Sequence, residues 1–270
     1  MSESDFDFRF GGIARLFGTA ALARLRASHV CVVGIGGVGS WTVEALARSG
    51  VGKLTLIDLD DVCVSNVNRQ LHAVNEAVGR AKVEVMAERA RGINPECDVR
   101  AMTEFFTEAN AHELLATPYD YVVDAIDSVS NKCRLIAQCR ERNIPIVTCG
   151  GAGGRRDATQ LRVSDLAFTT HDRLLQKVRD ILRKDFGFPR GEKEFGIDCV
   201  HSPEPPMFPR CDGTVSATRE QGAELRLNCE SGFGTAAFVT GTFGFVAAGI
   251  VVQRLAEKTG VNTAPDATTV

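Results

Sequence analysis

Short runs typical of strands alternate with amphipathic stretches over the first 165 residues of the chain. The strand-like runs lie at 29–34, 53–58, 97–103, 120–125 and 144–149, with a sixth candidate at 158–165. Stretches with helical spacing lie at 12–28, 40–49, 79–92, 109–116 and 129–142. Parallel strands need helical crossovers, so this alternation predicts an α/β fold with a Rossmann-like, doubly wound, mostly parallel sheet.

The pattern changes after residue 150. A glycine-rich turn, GGAGGRRD, is followed by an amphipathic helix at 172–184, and most of the prolines fall within 187–230. Long loops of this kind are usually functional or mobile. We therefore predict a sheet domain at 9–165, a loop-rich C-terminal extension with helices at 166–256 that packs on it, and a disordered tail at 257–270.

One segment raises the question of a membrane. Residues 235–252 carry no charge over 18 positions, which is at the short limit for a membrane span. The segment is rich in Gly, Ala and Thr, so we interpret it as a helix buried in the core or at a dimer interface. A membrane-associated helix is the alternative. The N-terminus is acidic and has no apolar region of a signal peptide, which favours a cytoplasmic protein.

Four glycines separate the first predicted strand from the first predicted helix of the sheet domain: Gly34, Gly36, Gly37 and Gly39. Such glycines let backbone N–H groups approach a phosphate at a helix N-terminus, where the helix dipole favours an anion. Asp58 ends the second predicted strand, where a carboxylate can hold ribose hydroxyls. A structural turn is the alternative. At this point NAD and ATP fit equally well.

Three further residues separate the two nucleotides. ATP attacked at its α-phosphate needs its charge neutralised, whereas NAD needs no strong cation. Arg69 and Lys82 supply cations, and Asp127, after the fourth predicted strand, is positioned to hold Mg²⁺. Taken one at a time, each has an alternative role. Arg69 could form a surface ion pair, Lys82 could be a solvated residue at a helix start, and Asp127 could be a helix N-cap. Together, around one glycine turn, they favour ATP and Mg²⁺ over NAD.

Several sequence motifs resemble those of the adenylation domain of the ubiquitin-activating-enzyme superfamily. They are GIGGVGS at 34–40, LTLIDLDDV at 54–62, SNVNRQ at 65–70, VGRAKVE at 78–84, INPE at 93–96 and VVDAIDS at 122–128. The resemblance implies that a carboxylate is activated as an acyl-adenylate with release of pyrophosphate. The candidate nucleotide-binding residues are Gly34, Gly36, Gly37, Gly39, Asp58, Asp60, Ser65, Asn66, Asn68, Arg69, Gln70, Lys82, Asp127 and Ser128.

Other sequence motifs resemble the tRNA threonylcarbamoyladenosine dehydratase branch of that superfamily. They are RFGGIARLFG at 9–18, CVVGIGGVGSWTVEALARSG at 31–50, GGAGG at 150–154, DCV at 198–200 and SGFGTAAFVTGTFGFVAA at 231–248. This resemblance implies ATP-dependent activation of the threonine carboxylate on the modified adenosine of a tRNA. The carbamoyl group then attacks, and a cyclic product forms with loss of water. The family also implies a homodimer and a sulfur-acceptor role with a cysteine desulfurase.

The sequence departs from the superfamily in two places. Members that activate sulfur carriers have paired C-x-x-C zinc ligands, and this chain has no such pair, which argues against zinc and against a ubiquitin-like substrate. Those members also carry R-Y-x-R-Q, whose second arginine crosses a dimer to the phosphates. Here Gly12 occupies that place, and Arg15 is the candidate replacement. Its alternative role is a surface charge. The predicted catalytic set is Arg15, Arg69, Lys82 and Asp127.

Three cysteines, Cys199, Cys211 and Cys229, fall in the predicted loops, where relatives that form thioesters carry their nucleophile. An intramolecular cyclisation needs no protein thioester, because its nucleophile is already in the substrate. We therefore expect these thiols to be incidental. Scattered, reduced cysteines fit a cytosolic protein.

The charge distribution allows a nucleic-acid partner only locally. The net charge is −3, but residues 155–193 hold ten Lys/Arg against six Asp/Glu. The predicted phosphate-binding face consists of Arg155, Arg156, Arg173, Lys177, Arg179, Arg183 and Lys184. The alternative is the solvated side of an amphipathic helix.

Three other functions remain open from the sequence. The first is an adenylyltransferase that activates the C-terminus of a small carrier protein, which requires that protein and no tRNA. The second is an NAD-dependent oxidoreductase, which requires no metal. The third is a nucleotide-sensing scaffold without catalysis. The cations Arg69 and Lys82, together with Asp127, weigh against the oxidoreductase.

Overall fold

A seven-stranded sheet forms the centre of the structure, a computed structural model that describes residues 5–210, 212–218 and 233–257. Its strands are β1 (His29–Val33), β2 (Lys53–Ile57), β3 (Asp98–Met102), β4 (Tyr121–Asp124), β5 (Ile146–Cys149), β6 (Arg162–Asp165) and β7 (Asp198–His201). Their order is β3-β2-β1-β4-β5-β7-β6. All neighbours are parallel except β6, which runs antiparallel to β7. The predicted Rossmann-like fold class is confirmed.

Helices cover both faces of this sheet. They are α1 (Asp5–Phe17), α2 (Thr19–Ala27), α3 (Gly39–Arg48), α4 (Lys82–Ile93), α5 (Ala111–Leu114), α6 (Val129–Glu141), α7 (Arg173–Asp185) and α8 (Ala237–Glu257). Alternate residues of β1 point to opposite faces. Val30 and Val32 join a core with α2, α3, α4 and α8, whereas Cys31 and Val33 join a core with α5, α6 and α7.

The sheet extends beyond the predicted boundary at residue 165. The segment 187–230 was predicted as long loops, but it contains β7, which lies between β5 and β6. It also contains a small hairpin of β8 (Phe208–Pro209) and β9 (Val215–Ser216). The four residues of β7 have too short a pattern to predict a strand. Pairing on both edges, with β5 and β6, makes them one.

The single helix predicted at 12–28 is wrong, because two helices occupy the N-terminal region. Gly18 separates α1 from α2 and has φ +91°, which ends helical geometry at that point. Phe6 and Phe10 of α1 pack against Leu22 of α2. The same three side chains surround Gly50, just beyond the carboxyl end of α3.

The apolar segment predicted at 235–252 forms most of α8, which packs on the sheet face beside α2 and α3. Val239, Phe243 and Val251 are fully buried there, whereas Phe238 and Phe245 are exposed. By length and composition, α8 is the single helix within the described ranges that could cross a membrane. Because 56% of its most apolar window is buried within the protein, the core interpretation fits its packing.

Gly244 allows α8 to approach α3 closely. A Cβ atom at Gly244 would lie 2.6 Å from the carbonyl oxygen of Val38 and 2.8 Å from Cβ of Trp41. The hydroxyl of Thr42 donates to the carbonyl of Gly244 at 3.3 Å. Backbone and side chain of α3 therefore fill the space that any other residue would need.

We expect Gly244→Ala to lower the free energy of unfolding by about 1–3 kcal/mol, because the added methyl overpacks the α3–α8 contact. Gly249→Ala is the matched control, since no atom lies within 4 Å of its Cβ position. There alanine should stabilise the helix by up to about 1 kcal/mol. Urea unfolding of both variants measures the difference, and equal effects would contradict the close approach.

Candidate active site

Three strand ends meet at one edge of the sheet. The glycine turn (residues 34–39) follows β1, Asp58 follows β2, and the loop 125–128 follows β4. Because β2, β1 and β4 are parallel neighbours, all three segments leave the sheet at its carboxyl edge. The strand order reverses beside β1, and ligands of doubly wound sheets bind in the crevice at such a reversal.

The glycines of the turn have different physical roles. Gly34 has φ +89°, and a Cβ atom there would lie 2.8 Å from the carbonyl oxygen of Ala125. A Cβ atom at Gly39 would lie 1.8 Å from the carbonyl oxygen of Gly34. These two glycines permit close packing. At Gly36 the nearest atom, Nε2 of Gln70, is 3.9 Å away, so this position leaves open space above the turn.

The turn presents unpaired backbone donors at the start of α3. Ile35 donates its N–H to Oδ2 of Asp58 at 2.6 Å. The next three amides, those of Gly36, Gly37 and Val38, have no acceptor within the described part of the chain. Free N–H groups at a helix N-terminus form an anion site. The geometry therefore suits a phosphate group.

Asp58 is held rigidly at the end of β2. Its Oδ1 accepts the N–H of Asp60 at 2.9 Å, and its other oxygen accepts Ile35, so the carboxylate is aligned by the backbone. Burial raises its pKa, while the charge of Lys82 and both backbone bonds oppose that shift. Lys82 is itself buried, and its Nζ contacts Oδ2 of Asp60 at 2.7 Å. The predicted cation thus lies beside the predicted carboxylates.

The loop 64–70 is fixed by contacts with α3 and α8. Trp41 Nε1 and Thr240 Oγ1 both donate to the carbonyl oxygen of Arg69, at 3.0 and 3.1 Å. The Arg69 guanidinium bonds the carbonyl of Ser65 at 2.8 Å and Oδ1 of Asn68 at 3.0 Å. The backbone of Arg69 is therefore anchored, while its half-buried side chain lies on the loop surface.

Two further polar residues of this loop hold it in place, and a third has a free acceptor. Asn66 is buried and accepts the N–H of Cys63 at 3.0 Å. Asn68 donates to the carbonyl of Thr235, just before α8, at 2.8 Å. Gln70 is buried, and its Oε1 has no partner among the described residues. Its amide lies beside Gly36, so Gln70 has a free acceptor next to the open space.

Asp127 is exposed and makes no hydrogen bond or ion pair with any described residue. Ser128 precedes α6 as its N-cap, and its hydroxyl is 3.3 Å from that of Ser130. No group of three or more His, Cys, Asp or Glu side chains within the described ranges could hold a metal. Mg²⁺, however, typically uses one or two carboxylates together with water and substrate phosphates. Asp127, which lies on the loop beside the glycine turn and has no described partner, fits that ligand set.

A buried ion pair, missed in the sequence, holds the loop that carries Asp127. Asp124 and Lys132 are both fully buried, with Lys132 Nζ 2.8 Å from Asp124 Oδ2. The same carboxylate accepts Thr148 Oγ1 of β5 at 2.6 Å and the N–H of Ile126 at 3.0 Å. Lys132 also donates to the carbonyl of Ile126 at 2.9 Å. An ionisable residue inside the apolar strand YVVD was the signal, since buried charges need partners.

Arg15 lies apart from these residues. It is on α1, whose Phe6 and Phe10 pack around Gly50 at the far end of α3 from the glycine turn. The ten residues of α3 span about 15 Å. Within the described part of the chain, Arg15 contacts no residue of the predicted nucleotide site.

The predicted basic face divides by burial. Arg156, Arg173, Lys177 and Lys184 are exposed, and Arg179 and Arg183 are half-buried. Arg155 is buried, with an exposed fraction of 4%, so it does not belong to the surface of this face. The apolar side of α7 packs inward as predicted, through Leu175, Val178 and Leu182. The other side of α7 is therefore a positively charged surface.

The loop cysteines have different outcomes. Cys199 is not in a loop but in β7, where it is fully buried, and burial raises its pKa well above the usual thiol value. A buried neutral thiol is a poor nucleophile. Cys211 and Cys229 lie outside the described residues. The described cysteines are Cys31, Cys63, Cys97, Cys133, Cys139, Cys149 and Cys199, and all are free thiols.

The family of the chain follows from a comparison with known proteins. The model of the ThiF family matches residues 12–269, and the chain therefore belongs to the ThiF family. This confirms the resemblance to the ubiquitin-activating-enzyme superfamily that the sequence motifs indicated.

Two dehydratases from bacteria are similar to almost the whole chain. It is 53% identical over 252 residues to the tRNA threonylcarbamoyladenosine dehydratase of Escherichia coli strain K12, with 93% of this chain and 94% of the relative covered. It is 37% identical to the Bacillus subtilis strain 168 protein of that name, over 92% and 95% of the two chains. A crystal structure of the Escherichia coli dehydratase in complex with ATP superimposes with a TM-score of 0.83 at 49% identity, covering 94% and 97%.

We expect Lys132→Met to lower the free energy of unfolding by about 3–5 kcal/mol, because Asp124 then keeps a buried charge without its cation. The matched control is Arg254→Gln, which removes a cation from the more exposed ion pair with Asp198. There the loss should stay below about 1 kcal/mol. Urea unfolding measures both. Equal losses would show that the buried pair does not stabilise the fold.

Proposed function

We propose that this protein is an ATP-dependent tRNA threonylcarbamoyladenosine dehydratase. The observation that carries the proposal is the set of amides at Gly36, Gly37 and Val38, near Lys82 and Asp127, where neither the amides nor Asp127 have a partner among the described residues. The proposal is supported by the 53% identity to a dehydratase and by the ATP complex of its relative.

The first half of the proposed reaction is adenylation. The turn amides bind phosphate oxygens of ATP, and Lys82 and Arg69 neutralise negative charge that builds up on the triphosphate. The threonine carboxylate attacks the α-phosphorus, and pyrophosphate leaves. Mg²⁺ held by Asp127 would screen the phosphate charge. Asp58, aligned by Ile35 and Asp60, is placed to accept ribose hydroxyls.

The second half is cyclisation. The carbamoyl nitrogen of the substrate attacks the activated carbonyl, loses its proton, and expels AMP. The ring closes, and water is lost overall. No protein nucleophile is needed in this sequence of steps. Burial of Cys199 is consistent with that, because its thiol has no access to substrate.

A homodimer is part of the proposal. Arg15 lines a surface cavity with Phe6 and Leu22, two of the side chains that surround Gly50 at the opposite end of α3 from the glycine turn. If Arg15 acts on the phosphates, as the family resemblance implies, it must come from a second copy. We further propose a cytoplasmic location, with α8 as a core helix rather than a membrane anchor, and a sulfur-acceptor role with a cysteine desulfurase as a secondary association.

We expect Asp127→Asn to lower the rate of tRNA dehydration by about 100-fold or more, because the developing phosphate charge loses its metal-holding carboxylate. The assay is mass spectrometry of nucleosides from modified tRNA incubated with protein, ATP and Mg²⁺, which detects a product lighter by one water. Glu113→Gln, an exposed acid on α5, is the matched control and should keep full activity.

Two other outcomes of this assay would redirect the proposal. Unchanged tRNA, together with ATP–pyrophosphate exchange that requires a small carrier protein, would assign the chain as an adenylyltransferase. Full activity of Asp127→Asn would remove the metal role from Asp127 and leave the dehydration itself in place.

We expect the double change Lys177→Gln and Lys184→Gln to weaken tRNA binding and to reduce its salt dependence, by about one unit of logarithmic slope per lost phosphate contact. The KM for ATP should not change, because α7 is not part of the glycine turn or of the other residues proposed to bind ATP. Lys53→Gln is the control, since Lys53 is exposed at the opposite, amino edge of the sheet. Filter binding at several salt concentrations measures the slope, and an unchanged slope would exclude this face.

A further inference from the structure

Arg155 is a buried cation whose hydrogen-bonding capacity is largely unused. It lies in the turn that follows β5 and is 4% exposed. Its Nη2 donates to the carbonyl oxygen of His171 at 2.8 Å. Its Nε and Nη1 are covered from solvent and have no acceptor among the described residues. Burial of a charge without such partners is unfavourable, so the site lacks an acceptor that a ligand could supply.

The carboxylates near Arg155 are committed to other groups. Asp172 and Glu204 are close enough to raise the pKa of Arg155 against the lowering effect of burial. Both oxygens of Asp172 accept backbone N–H groups, at 2.8 and 3.0 Å. The carboxylate of Glu204 accepts two backbone N–H groups of the turn that contains Arg155. These acids hold the backbone around Arg155 and leave two of its nitrogens without acceptors.

A second unpaired donor group lies at the end of the neighbouring strand. His201 ends β7 and is 3% exposed. Its Nε2 is 3.0 Å from Oγ of Ser164, and its Nδ1 has no partner within the described residues. Arg155 is among the charged groups that act on its pKa. Because β5 and β7 are parallel neighbours, Arg155 and His201 follow strand ends at the same edge of the sheet.

We propose that Arg155 and His201 form a pocket that binds an oxyanion of the substrate, a phosphate of its backbone. Arg155 donates from Nε and Nη1, and neutral His201 donates from Nδ1 in the tautomer that accepts the Ser164 hydroxyl at Nε2. The anion supplies acceptors to the two nitrogens of Arg155 that have none among the described residues. The assignment of the ligand to tRNA rests on the proposed function, whereas the oxyanion chemistry rests on the two side chains.

The position of the pocket matches this role. Ligands of doubly wound sheets bind at the carboxyl edge, where both residues lie. β7 is two strands from β4, which leads to Asp127, so the two strand ends are about 10 Å apart. The pocket is thus separate from the glycine turn, and one substrate is large enough to contact both the pocket and the bound nucleotide.

The direct test follows the ring signals of His201 by NMR while inorganic phosphate is added to the intact protein. Phosphate should shift these signals in the wild type and in Arg100→Lys, a control that replaces an exposed guanidinium on β3, at the far end of the sheet from β7 and β6. Arg155→Lys should reduce the shift strongly, because lysine cannot reproduce the guanidinium donors. Unmoved His201 signals in the wild type at saturating phosphate would overturn the proposal.

The kinetic test compares two substrates, the modified nucleoside without phosphates and an anticodon stem-loop that carries it. Arg155→Lys should raise the KM for the stem-loop about tenfold, as expected for a lost hydrogen bond to a charged group, and leave the KM for ATP within about twofold. The KM for the nucleoside should not change, because the nucleoside carries no phosphate, and an equal effect on both substrates would overturn the phosphate assignment. Unchanged KM values for both substrates would leave the pair with a structural role only and refute the proposal.

His201→Asn is the second variant and decides the question if Arg155→Lys does not fold. It should raise the KM for the same substrate as Arg155→Lys, with an unchanged circular dichroism spectrum. The test also separates this inference from the proposed function. If the wild type does not act on tRNA but phosphate shifts His201, the dehydratase assignment fails and the oxyanion pocket stands.

Discussion

The buried ion pair between Asp124 and Lys132 is the interaction on which the geometry of the candidate site depends. Both side chains are fully excluded from water, so their charges are stable only while each keeps its partner. The pair joins β4 to α6, and Thr148 adds β5 to the same network. The loop that carries Asp127 is enclosed between these elements. An exposed carboxylate thus gains a defined position from a neighbouring carboxylate that never meets solvent.

The sheet edge divides the work between its strands. The ends of β2, β1 and β4 carry the free amides, Asp58 and Asp127, whereas the ends of β5 and β7 lead to Arg155 and His201. The helix α7, which carries the basic surface, begins near the same edge, because its N-cap Asp172 accepts the N–H of Gly151 after β5. In the proposed reaction, nucleotide chemistry and substrate recognition therefore occupy adjacent stretches of one edge. Residues 166–256 supply much of the second stretch, and β7 from that segment is a strand of the sheet itself.

Local pattern predicted the first five strands and the glycine turn, because apolar runs between turns and helical stretches carry their own signal. It could not predict β7, whose four residues become a strand only by pairing with β5 and β6. It also treated Arg155 as a surface charge, since burial of an arginine depends on segments far along the chain. The pairing of Asp124 with Lys132 is tertiary in the same sense, although a carboxylate within an apolar strand did point to it.

The hydrogen bonds between α8 and the loop 64–70 bear on how the protein is made. Thr240 bonds the carbonyl of Arg69 across 171 positions of sequence, and Asn68 bonds the carbonyl of Thr235. A growing chain leaves the ribosome from its N-terminus, so every residue of the candidate nucleotide site is synthesised long before these anchors exist. The site is therefore completed last, and a nascent chain that ends before α8 holds this loop by its contact with Trp41 of α3 but without the bonds from Thr240 and to Thr235.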